Sequence, residues 1–288
     1  MKVDAQKHEN EIFVQPKSGK INYEYVLLNS KGEISQRGNA VTQQLVEELG
    51  NGVGLELIKI PKGFFQMGSL RSEGGYDDEH PLHPVFVNSF WMGKHPILQA
   101  QWQAVMGKLP ECRFKGHDLP VENITWQEAV SFCNQLSSQT KRQYTLPSEA
   151  MWEYACKAGT NTPFSYGETI TTDYVNYVGI HTFRDEVPGI YRHGTTPAGT
   201  FPPNRWGLFD MHGNVWEFCQ DGWTADYTGL GIDSNAHGGD KNFKVARGGS
   251  WHETPFHCRS AMRLRVIQNE RLEFYGMRVM LEYQEQEN

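Results

Sequence analysis

Arg247-Gly248-Gly249-Ser250-Trp251, then Cys258-Arg259-Ser260-Ala261, then Tyr275-Gly276-Met277-Arg278-Val279: these fragments punctuate the segment from Arg247 to Met280 and decide the fold. Between them the apolar positions hold neither a period of two nor one of 3.6 for more than a few residues, which predicts loop. Paired glycines let a backbone turn tightly or approach a neighbour, and arginines brace loops through bidentate hydrogen bonds. The segment is therefore expected to form one wall of a surface pocket. Its ligand-facing candidates are Ser250, Trp251, His252, Glu253, Thr254, Phe256, His257, Met262, Leu264 and Phe274. Glu270, Glu273, Arg263, Arg265 and Arg271 supply charge around them. Apolar groups rimmed by charge mark interaction sites more often than chance exposure does.

The whole chain bounds what such a wall serves. Its 288 residues, 38% hydrophobic and 12% aromatic, suffice for a large packed core. A formal net charge of -7, with no basic cluster, argues against nucleic acid as a partner. No apolar run reaches membrane-spanning length, and Met1-Lys2-Val3-Asp4 opens no secretory signal. Five scattered cysteines without a CxxC pair fit free thiols in a reducing compartment, so a cytoplasmic protein is expected.

Residues 1–51 read as an N-terminal extension. A polar, loosely held stretch over residues 1–17 precedes a hairpin in which Ile21, Tyr23, Tyr25 and Leu27 alternate with polar neighbours. Asn29–Gly32 is its turn, and a second short strand surrounds Ile34. A short helix capped by Asn39 follows, with Val41, Leu45, Val46 and Leu49 on one face and Gly50 as its stop. From residue 52 the composition changes. Val85, Val87 and Phe90–Met92 read as core strand, and Gln99–Met106 as a helix ended by Gly107. Thr125-Trp126-Gln127-Glu128 is a capping box, and Ser148 caps a further helix ended near Gly159, so Cys133 and Cys156 are small buried hydrophobes. His80 and His83, beside Asp77-Asp78-Glu79, have metal-ligand character, although polar groups tying down a proline-containing loop explain them better. After Thr160 the chain is too aromatic for disorder and too irregular for helices, which predicts an ordered, loop-rich half.

Several stretches recur in order: Ile60–Ser69, Pro120–Trp126, Leu146–Ala155, Gly207–Glu217, Arg247–Trp251 and Gly276–Val279. Together they resemble the formylglycine-generating-enzyme family, the sulfatase-modifying-factor domain, over residues 52–283, leaving 284–288 as a polar tail. The resemblance implies an α+β fold, C-type-lectin-like, loop-rich, with few short helices and strands. Oxidase members of that family turn a sulfatase cysteine into formylglycine with copper(I) held by two thiolates. A soft ion of this kind requires soft sulfur donors. The family spacing from Ser250 places the two thiolates at positions 253 and 258, and here those are Glu253 and Cys258. A carboxylate is a hard donor, and only Cys219 or Cys112, approaching through folding, would replace the missing sulfur. Copper is therefore not expected. A further branch, joining sulfur to histidine derivatives with non-haem iron, draws its ligands from an N-terminal helical bundle that residues 1–51 are too short to form.

The resemblance also implies a structural Ca²⁺ held by Asp210 and Glu217 with the main-chain carbonyls of Gly213 and Val215. The competing explanation is that Glu217 pairs with an arginine such as Arg247 while Trp216 and Trp223 fill the core. The variable proteins of diversity-generating retroelements share the frame from Arg-Gly-Gly-Ser-Trp to Gly-x-Arg. A variable protein of this type is kept as a lesser alternative, since adenine-directed changes to asparagine codons do not yield Met262, Glu253, Glu270 or Glu273. The expectation is then a binding module for a protein or peptide. The alternative is a sulfatase-modifying oxidoreductase in which Cys258 and Ser250 are catalytic.

Overall fold

The computed structural model describes residues 16–282. The loose stretch expected at the N-terminus falls mostly on residues outside that range, and the polar tail falls wholly outside it. β1 (Lys17–Leu28) and β2 (Ile34–Glu48) form a long antiparallel hairpin. Its turn is held by Asn29, whose side-chain oxygen accepts from the N–H groups of Lys31 and Glu33, with Gly32 at φ 75°.

The short helix expected after Asn39 is replaced by strand. Asn39 stands opposite Glu24, Val41 opposite Asn22 and Val46 opposite Lys17. Val41 remains 60% exposed, so the apolar residues never gather on one helical face. β-Branched Val41, Thr42 and Val46 favour the pleated backbone once a partner strand lies alongside.

β3 (Gly54–Ile60) pairs with β2, so the hairpin continues the main sheet edge to edge. β4 (Gly63–Met67) and β5 (His83–Val87) form a separate two-stranded ribbon. β6 (Phe90–Gly93) pairs with β3, followed by α1 (Gln99–Met106), α2 (Trp126–Thr140), β7 (Tyr144–Thr145) and α3 (Glu149–Lys157). Thr125 and Glu128 make the expected capping box on α2, Ser148 accepts from Met151 N–H at the start of α3, and Gly107 closes α1 at φ 77°.

After a long irregular stretch come β8 (Trp216–Trp223), β9 (Asp240–Arg247), β10 (Arg263–Ile267), β11 (Tyr275–Gly276) and β12 (Met280–Glu282). β12 inserts between β6 and β7, completing a six-stranded sheet in the order β1-β2-β3-β6-β12-β7. A second sheet runs β10-β9-β8-β11 with β8 and β11 parallel. The last segment is thus less irregular than its sequence predicts: Arg263–Ile267 is a strand paired with β9.

The core sits between the sheets and helices. Leu57, Ile97, Ile124, Phe132 and Leu136 gather with Phe218 and Val266 on one side, and Ile58, Ile60, Val87 and Trp152 with Leu208 on another. Four arginines share this interior. Arg247, Arg259, Arg263 and Arg278 are each no more than 2% exposed. A buried guanidinium is tolerable only when its charge and most of its donors are met. Each of the four meets a carboxylate and a backbone carbonyl, and among the described residues Arg247 Nε alone of their donors is left without a partner. The fold is α+β and C-type-lectin-like.

Candidate functional site

β9 delivers Arg247 into the interior, where Nη1 meets Glu149 at 2.7 Å and Nη2 meets Glu153 and the Ser260 carbonyl. Gly248 and Gly249 then turn the chain with φ of 101° and 76°, a region side chains avoid. A Cβ on Gly249 would lie 2.5 Å from the Cys258 sulfur. The double glycine is therefore what lets the following loop fold back over that thiol.

Cys258 is fully buried. Burial pushes its thiol well above the ordinary cysteine value and the neighbouring Glu253 carboxylate adds to this, while N–H groups of Ser250 and Gly213 oppose it. Its carbonyl oxygen lies 2.7 Å from Nδ1 of His212, a buried ring whose Nε2 accepts from Ser165 N–H at 3.0 Å. Burial lowers His212 to about 4, so the ring is neutral and acts as a spacer with fixed donor and acceptor ends.

Outward from Cys258 the loop carries a ridge of rings. His252 stacks on Phe274 at 5.9 Å and 9°, and its Nδ1 lies 2.8 Å from the Tyr191 hydroxyl. Tyr191 lies over Trp251 at 6.1 Å, and Phe114 meets Trp251 edge-on at 5.4 Å beneath the Arg113 guanidinium, itself paired with Glu273. Glu253 is the hinge of the arrangement. One carboxylate oxygen accepts from Trp216 Nε1 at 3.4 Å, and the other lies 3.1 Å from His257 Nδ1. The Glu253 main-chain oxygen accepts from Val178 N–H at 2.8 Å, which fastens the loop bearing exposed Ile180, Val187 and Ile190. Beyond His257, Tyr76 offers its hydroxyl at 3.3 Å and packs edge-on against Phe256.

The predicted wall therefore divides. His252 is exposed, and Glu253, Thr254, Phe256, His257, Leu264 and Phe274 are partly exposed. Ser250, Trp251 and Met262 are buried, and Met262 belongs to the main core, so these three support the ridge from beneath. Arg263 is likewise no rim charge: it grips Glu149 and the carbonyls of Asp78 and Thr224. Sequence reasoning missed Tyr76, Tyr191 and Phe114, which come from distant loops. The signal available was their aromaticity inside stretches otherwise made of turn residues. His83 sets Nδ1 3.1 Å from the Pro81 carbonyl and packs on Tyr227, and no group of three metal-ligating side chains occurs among the described residues.

Residues 42–283 match the family model described as the sulfatase-modifying factor enzyme 1-like domain. The chain belongs to this family. Among relatives, it is 29% identical over 241 residues to the serine/threonine-protein kinase pkn1 of Chlamydia caviae, covering 73% of this chain but 35% of that one. The chain thus spans about a third of that kinase. Among solved structures, PvdO from Pseudomonas aeruginosa superposes with a TM-score of 0.73 at 27% identity, over 83% of this chain and 98% of that one. Treponema denticola variable protein 1 shares the fold with a TM-score of 0.72 at 24% identity, over 83% and 99%.

Family membership raises two metals, which the residues present answer differently. For copper(I) the donor set does not fit. Cys258 faces a carboxylate at 253, and Cys219 and Cys112 sit in core clusters other than the one holding Cys258. For a hard cation at the Asp210 turn, three of the four implied donors fit. Among the described residues, the carbonyl oxygens of Gly213 and Val215 receive no hydrogen bond although both residues are buried. Asp210 is buried too, and desolvation lifts its carboxyl to about 6, despite a Gly199 N–H at 3.3 Å and the Asn214 amide at 3.5 Å. Glu217 is already engaged, but by Arg278 at 2.8–3.2 Å and Trp152 Nε1 at 2.7 Å rather than by Arg247.

Proposed function

We propose that this chain is a binding member of the family, holding a protein or peptide on the ridge formed by Tyr191, His252, Phe274, Glu253, His257 and Tyr76. The observation that carries this reading is the pairing of Glu253 with a sealed Cys258. A single protonated thiol behind a double-glycine turn neither takes up a soft metal nor meets a substrate, so the oxidising branch of the family lacks its central chemistry here. What the site keeps is surface: rings held edge-on and stacked, one carboxylate, and a fastened apolar loop. Rigid aromatic groups supply contact area at low entropic cost, and clusters of them carry most of the energy in known interfaces.

The Asp210 turn is assigned a bracing role, in which Asp210, the Gly213 and Val215 carbonyls and an oxygen of Glu217 hold Ca²⁺. The ion would supply the counter-charge that a buried carboxylate lacks and would take no part in chemistry. Five unpaired cysteines favour a reducing compartment, the cytoplasm.

The test selects peptides from a displayed random library against the whole chain and compares wild type with Tyr191→Ala and His252→Ala. Selected peptides should lose about tenfold or more in affinity on either variant, about 1.4 kcal/mol or more. Conversion of a cysteine-containing sulfatase peptide to formylglycine by the copper-treated chain would overturn the proposal in favour of oxidase activity.

A further inference from the structure

Away from the ridge, a groove of about 360 Å³ opens where the edge of the main sheet, α2 and the second sheet converge. α2 lines it with Trp126, Val130, Cys133 and Asn134, whose spacing puts them on one helical face. The edge strand β7 and the residue after it contribute Tyr144, Thr145 and Leu146, and the second sheet contributes Gln220 and Lys244. Trp126 cannot swing freely. It is the first residue of capped α2, and its Nε1 donates to the Cys219 carbonyl at 2.7 Å.

Most polar groups around this apolar floor are uncommitted, the Tyr144 hydroxyl being held by Glu47 at 2.8 Å. Among the described residues, the side chains of Asn134, Thr145, Gln220 and His237 make no hydrogen bond. Lys244 is half-buried with its ammonium 4.0 Å from the Trp126 ring centroid, and no carboxylate lies within ion-pair distance of it. No aspartate or glutamate lines the groove. The neighbouring acid, Asp221, is spent on backbone donors, accepting from Glu149 N–H at 2.7 Å and His237 N–H at 2.9 Å. Asp221 acts on Lys244 only through space, partly offsetting its desolvation, and no anion meets the ammonium directly. A partly desolvated cation with that contact open, above an indole face, is a receptor for a carboxylate attached to a flat or branched apolar body. The volume lies at the lower end of the roughly 300–1,000 Å³ usual for small-molecule sites, which suits a compact ligand rather than a folded partner.

We infer that this groove binds a small aromatic or branched aliphatic carboxylate, with the acid on Lys244 and the apolar body between Trp126, Val130 and Leu146. This site is independent of the ridge and of how the ridge is used.

The test is isothermal titration calorimetry of the whole chain with indole-3-acetate, and with indole-3-acetamide as the uncharged isostere. Saturable one-to-one uptake of the acid is expected, with the amide weaker by about tenfold. Lys244→Met should remove that preference, Lys244→Arg should retain it, and Val130→Trp should abolish uptake of both by filling the groove from the helix side. Circular dichroism confirms that each variant is folded. Absence of saturable binding into the millimolar range overturns the inference. So does equal affinity for acid and amide, or an acid affinity unmoved by Lys244→Met and Val130→Trp.

Discussion

Replacing Glu79 by glutamine keeps the side chain's shape and removes one charge from an interior that holds its partner rigidly. Arg259 donates Nη1 to one carboxylate oxygen at 2.8 Å and Nη2 to the other at 2.6 Å, with both residues fully buried. Its Nε donates to the Phe256 carbonyl, and its guanidinium lies 4.2 Å from the Phe256 ring centroid. Burial pushes the Glu79 carboxyl up, and the guanidinium together with the Ser69 hydroxyl and the Tyr76 N–H more than offsets this, leaving it below the ordinary value. Glu79→Gln leaves Arg259 charged, desolvated and answered only by Glu73 at 3.7 Å. Breaking one side of a buried ion pair costs about 3–5 kcal/mol. At about 2–4 °C per kcal/mol for larger domains, the melting temperature should fall by roughly 6–20 °C. Glu79 also accepts from Tyr76 N–H at 3.2 Å, and Tyr76 reaches His257, so the loss is local to the ridge. Amide hydrogen exchange should rise first over residues 69–80 and 254–259. Urea unfolding measures the global term, with the double variant Glu79→Met, Arg259→Leu as the control. Removing both charges should recover most of the loss, because an apolar pair costs little where an orphaned charge costs much. A single variant within about 1 kcal/mol of wild type, or a double variant less stable than the single, would refute this reasoning.

Three further perturbations follow from the same geometry. Below about 6.5 the unfolded chain protonates its histidines, whereas folded His212 refuses a proton until about 4; stability should therefore fall as pH drops through that window. The contribution is about 3 kcal/mol, and His212→Gln should flatten that part of the pH-stability curve, as read by urea midpoints at successive pH values. Calcium should raise the melting temperature of the chelator-treated chain, and Asp210→Ala should abolish the rise; an unchanged melting temperature would exclude calcium from the turn. Glu253→Cys should create a copper(I) site with Cys258 that competes with a colorimetric chelator, and Cys258→Ala in that background should remove it. No uptake by Glu253→Cys would mean that the double-glycine turn, not the missing donor, excludes the metal.

What the sequence disclosed follows from how local each signal was. Thr125 to Glu128 and Ser148 announced their helices because a cap is a contact between residues three apart. The strand of residues 34–48 was hidden because its partner, Lys17–Leu28, makes an exposed pleat possible where apolar spacing alone favoured a helix. The candidate wall was legible as a segment but not as a surface. Nothing near Ser250, Trp251 or Met262 in sequence says that they are buried, Trp251 under Phe114 and Tyr191 and Met262 in the main core. Tyr191 and Tyr76 join the ridge through contacts 61 and 181 residues away along the chain, a separation that no local period encodes.

The buried arginines explain how so irregular a chain presents an ordered surface. A loop fixes its shape by satisfying its own carbonyls, and here guanidinium forks do so across large sequence gaps. Arg263 spans to Asp78 and Thr224, Arg278 to Gly93 and Phe209, and Arg247 to Ser260. Each fork also carries a glutamate, so charge and backbone are neutralised at the same point. Arg247 and Arg263 meet on Glu149 while Arg259 closes on Glu79, which ties α3 and the loop bearing Tyr76 to the segment that bears the ridge. The ridge residues then sit at the ends of loops whose roots cannot shift without orphaning a charge. Substitutions among the exposed rings should change what binds with little effect on folding, whereas any change at a fork should lower stability and order together.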